Sequence, residues 1–133
     1  IENYLSQAKK SLIQDIENHL FPYAIRRQDY LNMRQEQTSI LKRIASTLES
    51  VALIKEKKII LTYLSSFENN IGEKNYAAFL KEELDDLLAR FRNEKLPISR
   101  DEFENRARLY YVLMELEQFL NLKMKYHEKY AII

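Results

Sequence analysis

Apolar residues recur every three or four positions along most of the chain, the period of one face of an α-helix. Leu5, Ala8, Leu12, Ile16 and Leu20 form the first row. That helix is expected to stop or kink near Phe21, because Pro22 lacks a backbone N–H and pushes its predecessor away from helical dihedrals. A second, longer row runs Tyr30, Met33, Gln37, Ile40, Ile44, Leu48 and Val51, with Leu41 broadening it. A third, Ile59, Ile60, Tyr63, Leu64, Phe67 and Ile71, follows the charge run Lys55-Glu56-Lys57-Lys58, which places a joint near Leu53 to Glu56. No Gly or Pro marks that joint, so one long bent helix is the alternative there.

Stronger punctuation comes next. Asn69-Asn70-Ile71-Gly72 holds the only glycine, suited to a left-handed helix stop, and Asn75 can cap the helix after it. The fourth row is Tyr76, Leu80, Leu84, Leu87, Leu88 and Phe91, broken by Leu96-Pro97. Ser99-Arg100-Asp101-Glu102 then fits a capping box, in which the Ser99 hydroxyl takes a first-turn N–H and Glu102 reaches back to the Ser99 N–H. The fifth helix, from Asp101 to about Tyr130, carries only Leu, Tyr, Val and Met from Leu109 to Met114 and must be covered on several sides. At 1.5 Å per residue it would run on the order of 45 Å. A compact bundle needs less, so its end is expected to project, fray or meet another chain. The pattern as a whole predicts one domain over residues 1–133, an all-α antiparallel bundle of four or five helices with the long C-terminal helix at its centre.

Composition narrows the chemistry. With 133 residues a core can form without metal or disulfide staples. The 21 Lys+Arg and 20 Asp+Glu leave a net charge of +1, so no bulk field gathers nucleic acid or an anionic bilayer. Cys is absent, which removes thiol nucleophiles and Cys-based zinc sites and agrees with a reducing compartment. The longest uncharged apolar run, Ile59 to Phe67, is far below the roughly 20 residues of a spanning helix, so direct bilayer insertion by this domain is not expected. The first residue is Ile rather than Met, and the chain reads as a domain detached from an amino-terminal neighbour.

No catalytic residue, cofactor or metal is expected. The two His lack the Glu-x-x-His pairing of bundle metal sites, since Ile16 and Met124 stand three positions before His19 and His127. His19 reads as a dipole partner at a helix end, and His127 as a solvated residue. The carboxylate pairs Glu82 with Asp85, Glu83 with Asp86 and Glu115 with Glu117 read mostly as solvated faces rather than acid–base dyads. Two groups remain as candidates. Arg26, Arg27, Tyr30 and Arg34 are types that can clamp a carboxylate and stack on an aromatic ring, unless the arginines pair with acids such as Glu102 and Glu104. Tyr110, Tyr111, Met114, Met124 and Tyr126 could form a self-association surface on the fifth helix.

Leu96-Pro-Ile-Ser-Arg-Asp-Glu-Phe-Glu-Asn-Arg-Ala107, with Leu109-Tyr110, Leu113, Glu115-Leu-Glu-Gln-Phe-Leu120 and Leu122-Lys123, resembles the carboxy-terminal domain of the putative aromatic acid exporter family of bacterial membrane proteins. Tyr30 to Gln37 is similar to a second block of that domain. The resemblance implies a helical domain at the cytoplasmic face of the bacterial cell membrane. Its partner would be the membrane-spanning half of the same polypeptide, and its role the assembly or regulation of a transporter. It supplies no catalytic residues. Homo-oligomer formation through the C-terminal helix, and sensing of an aromatic carboxylate, are the accompanying expectations.

Overall fold

The computed structural model describes residues 2–70 and 76–131, so Gly72 and Asn75 lie outside the described residues. Four helices follow in order: α1 Glu2–Glu49, α2 Lys55–Asn70, α3 Tyr76–Arg92 and α4 Arg100–Lys129. No strand occurs among the described residues. The expected joint between rows two and three is present, since α1 ends at Glu49 and α2 begins at Lys55. Lys57 makes that corner: its ammonium donates to the carbonyls of Leu48 and Val51, both at 2.8 Å, at the end of α1, where the Leu48 carbonyl also accepts the Val51 N–H at 3.2 Å. The charge run is thus the first turn of α2 rather than a connector.

Of the stop or kink expected near Phe21, the stop is overturned. Pro22 lies inside α1, which runs 48 residues without interruption. Proline removes the N–H that would bond the Asn18 carbonyl. Here Asn18 and its neighbours are exposed, so water can take that carbonyl, and no glycine lies nearby to offer a tighter alternative path. His19 is therefore not at a helix end. Its Nδ1 lies 2.7 Å from the Asp15 carbonyl in mid-helix.

At the start of α4, Ser99 has extended backbone dihedrals and its Oγ accepts from Glu102 N at 3.1 Å, as the sequence predicts. The reciprocal half differs by one residue. Glu102 Oε2 accepts from the Ile98 N–H, not from that of Ser99. The cap ties down the connector as well as the helix.

α4 packs against all three other helices, which confirms its central place. Its buried residues Leu109, Val112, Leu113, Leu116, Phe119 and Leu120 meet Ile40 and Ile44 of α1, Ile60, Tyr63 and Phe67 of α2, and Leu80, Leu84 and Leu88 of α3 in one cluster. Phe67 and Phe119 sit edge to face at 5.0 Å between ring centres. The coverage is one-sided, however: Tyr110, Tyr111 and Met114 stay exposed. Polar groups inside the core are matched. Gln37, 1% exposed, donates to the Phe119 carbonyl and accepts from Arg34, and the Tyr63 hydroxyl donates to the Leu80 carbonyl at 2.8 Å. Burial raises the Tyr63 phenol well above its ordinary pKa, so it stays a donor.

α1 and α4 run antiparallel, shown by Arg43 with Glu115, Gln37 with Phe119 and Asp29 with Lys129. Arg43 grips Glu115 through two 3.0 Å hydrogen bonds, and the Tyr111 hydroxyl donates to the same carboxylate at 2.5 Å. Those bonds from Arg43 hold Glu115 below the usual carboxylate range, against the opposing effect of partial burial. The carboxy end of α4, expected to project, instead closes onto α1. It is α1 that overhangs.

Leu116, wholly buried where α4 meets its neighbours, is expected to lose about 2–5 kcal/mol of stability on replacement by Ala, read from urea unfolding. The Glu115 contribution has a definite sign. A carboxylate with a depressed native pKa stabilises fully above its unfolded value near about 4.3 and loses that contribution as pH falls through the native value. Glu115→Gln should therefore show a lower urea midpoint than the parent at neutral pH, and a shallower decline between about pH 5 and 2.

Candidate functional site

The seam between the middle of α1 and the end of α4 gathers most of the sequence-predicted ligand residues. Asp29 Oδ2 accepts from Lys129 Nζ at 2.7 Å and from the Tyr130 hydroxyl. These bonds, Lys129 first, lower the Asp29 pKa and raise those of Lys129 and Tyr130. The Arg26 guanidinium lies 5.3 Å from the Tyr130 ring centre, and Lys129 Nζ 5.4 Å from it. Tyr30 meets Tyr126 edge to face at 5.6 Å, and Tyr126 meets Tyr130 at 5.0 Å. One helical turn further along α1, Arg34 donates to Gln37 at 3.1 Å. Burial, and then the Arg34 charge, lowers the Lys123 pKa.

Arg26, Tyr30 and Arg34 are thus brought to one seam. Each already has an intramolecular partner. Arg27, three positions from Tyr30, is exposed. The acids first considered as partners lie elsewhere, Glu104 on Arg100 at 3.1 Å and Glu102 on the Ile98 N–H. Asp29, Lys129 and Tyr130 went unrecognised from sequence. Tyr126 and Tyr130, four apart, do share a helix side, but nothing local to them names α1 as the element they face.

Of the predicted α4 interface residues, Tyr126 is consumed by Tyr30, Tyr110 receives a 3.4 Å contact from Arg92, and Tyr111 serves Glu115. Met114 and Met124 are each 40% exposed. Of the carboxylates read as surface features, Glu117 and Asp85 bind Lys81, Glu83 accepts from the Ser66 hydroxyl, and Glu115 binds Arg43. Among the described residues no group of three or more His, Cys, Asp or Glu could hold a metal ion. A shallow cavity of about 300 Å³ opens under the α3–α4 connector, between Phe91, Pro97, Phe103 and Tyr110, with Arg106 at its edge bound to Glu94 and the Lys95 carbonyl. No helix of the described residues is long and apolar enough to cross a membrane.

Comparison with known proteins follows the same lines. Residues 1–124 match the family model described as "Putative aromatic acid exporter C-terminal domain". The chain is similar to "Uncharacterized protein YqjA" of Bacillus subtilis (strain 168), 30% identical over 120 residues, which is 90% of this chain and 37% of that protein. The chain therefore spans well under half the length of that relative. No solved structure matches. A family match over nearly the whole helical bundle, the α4 cap included, means that the chain belongs to the family of putative aromatic acid exporter C-terminal domains.

Proposed function

We propose that the chain is a non-catalytic, cytoplasmic helical module of an exporter-like membrane protein, serving the assembly or regulation of the membrane-spanning half of the same polypeptide. The observation that carries this reading is the family match over residues 1–124 of a bundle whose described helices include none fit to cross a bilayer. The chain's own ionisable groups agree with it: Glu83, Asp85, Glu94, Glu115 and Glu117 bind lysine, arginine or hydroxyl partners instead of converging on a dry cleft. The match covers 37% of the relative, whose remaining length leaves room for a membrane region.

A second reading has support from one place. Arg34 and Lys123 put two like charges near each other in the seam that holds Tyr30 and Tyr126. An aromatic carboxylate seated there would relieve that repulsion and stack on a ring, and Arg26 and Arg27 would add to the field. The module would then sense the class of compound that its family name mentions.

The topology is tested in cells carrying the full-length protein with one cysteine introduced at Gln118, an exposed position of α4. A membrane-impermeant maleimide should label it in inverted vesicles and not in intact cells; labelling from outside overturns the cytoplasmic assignment. For the sensing reading, benzoate titrated by calorimetry should bind with a dissociation constant below about 1 mM, and Arg34→Gln should weaken it on the order of tenfold. Absence of heat at millimolar benzoate disposes of that reading alone.

A further inference from the structure

The connector after α1 and the connector before α4 come to the same end of the bundle. α1 and α4 run antiparallel, so residues 50–54 lie at the end where residues 93–99 enter α4, and Arg108 of α4 donates to the Ser50 carbonyl at 3.4 Å. Each connector sets aliphatic side chains in water: Leu53 is 66% exposed, Leu96 88% and Ile98 95%. Slack backbone is not the reason. Arg106 binds the Lys95 carbonyl and, at 3.2 Å, the Glu94 carboxylate, Glu102 takes the Ile98 N–H at 3.1 Å, and Lys57 holds the Val51 carbonyl. Tips held out in this way give up little conformational freedom when they dock.

Cations flank each tip. Lys55 and Lys58 follow Leu53, and Lys95 precedes Leu96. All three are exposed, and none forms an ion pair among the described residues. From the last turn of α1 through the first of α2, and from the last turn of α3 to Arg108, nine Lys or Arg stand against six Asp or Glu, in a chain whose whole excess is one. We propose that this end of the bundle docks on an anionic lipid surface, with Leu53, Leu96 and Ile98 entering the headgroup layer and Lys55, Lys58 and Lys95 resting on lipid phosphates. The lysines select lipid over protein. Lys is depleted from protein interfaces, whereas at a bilayer its stem follows the apolar tip and its ammonium stays among wet phosphates. Two tips on separate connectors also require no matched surface from a fluid partner, while a protein would have to supply one of about 800 Å². Spanning is not involved, so neither the short apolar runs nor the near-zero charge of the whole chain opposes surface docking. The docking stands on the connectors alone and holds whether or not the module regulates a transporter.

The 133-residue chain should sediment with vesicles of equimolar phosphatidylcholine and phosphatidylglycerol, and far less with phosphatidylcholine alone. Replacing Lys55, Lys58 and Lys95 together by Gln should weaken partition on the order of 100-fold, and Leu96→Ser with Ile98→Ser at least about tenfold. Both sets should keep the parent urea midpoint, since these side chains lie outside the core. Leu12→Gln with Ile16→Gln, on the exposed first half of α1, should leave vesicle binding as it was. The chain has no Trp, so Ile98→Trp is a clean probe. Its emission should shift to the blue with vesicles and be quenched by brominated lipid, while Gln118→Trp, on the exposed side of α4, should show neither. Five outcomes would each overturn the proposal: no sedimentation at millimolar lipid, which leaves the tips to a protein partner; equal binding to both lipid compositions; binding unchanged in the connector variants; binding abolished by the Leu12 and Ile16 changes; or the same response from the two Trp variants.

Discussion

The length difference between α1 and α4 governs the molecule. α4, at 30 residues, is the element every other helix packs on, so its two ends mark the limits of the core. α1 has 48 residues and passes one of those limits by several turns. Within the overlap, Ile40 and Ile44 are almost fully buried against α4. Beyond it the same periodic pattern continues with no surface to meet among the described residues. A hydrophobic stripe is a demand for a partner. Whether the partner belongs to the same chain depends on where the opposing helix stops.

This explains which expectations came true. The joints at Leu53 to Glu56 and at Leu96-Pro97, the Ser99 cap and the central place of α4 rest on local chemistry, and each is present. Pro22 was weighed by the same local rules and misjudged, because a proline's cost falls when the carbonyl it orphans faces water, and exposure is a tertiary property. Reading a stop there hid the overhang. Two helices of ordinary length would each have fitted the bundle. One of 48 residues cannot. The exposed end was consequently assigned to α4, whose carboxy-terminal tyrosines are in fact held by Tyr30 and Asp29.

The candidate site was legible in part. Arg26, Tyr30 and Arg34 do gather at one seam, because residues four apart on α1 share the face that α4 covers. Their partners were not legible, since Tyr126, Lys129 and Tyr130 lie about a hundred residues away in sequence and their pairing depends on the register of α1 against α4. That register is set largely by the core, with Gln37 on the Phe119 carbonyl and Arg43 on Glu115 as its polar reference points. Surface ion pairs such as Lys129 with Asp29 contribute little energy. They do report position: a shift of one turn between the helices would separate every one of these pairs.

That sensitivity bears on how such a module could act. α1 is a single continuous helix from the overhanging arm to the corner capped by Lys57, so a force or a partner at the arm acts on the same rod that lines the core. Packed cores resist small displacement and yield by discrete steps. The weakest part of the α1–α4 seam is its distal end, where Asp29, Lys129, Tyr30 and Tyr126 are held by ion pairs and ring edges rather than by buried aliphatic side chains. Displacement of the arm would therefore open the seam there first, and leave the Leu113 and Leu116 layers closed.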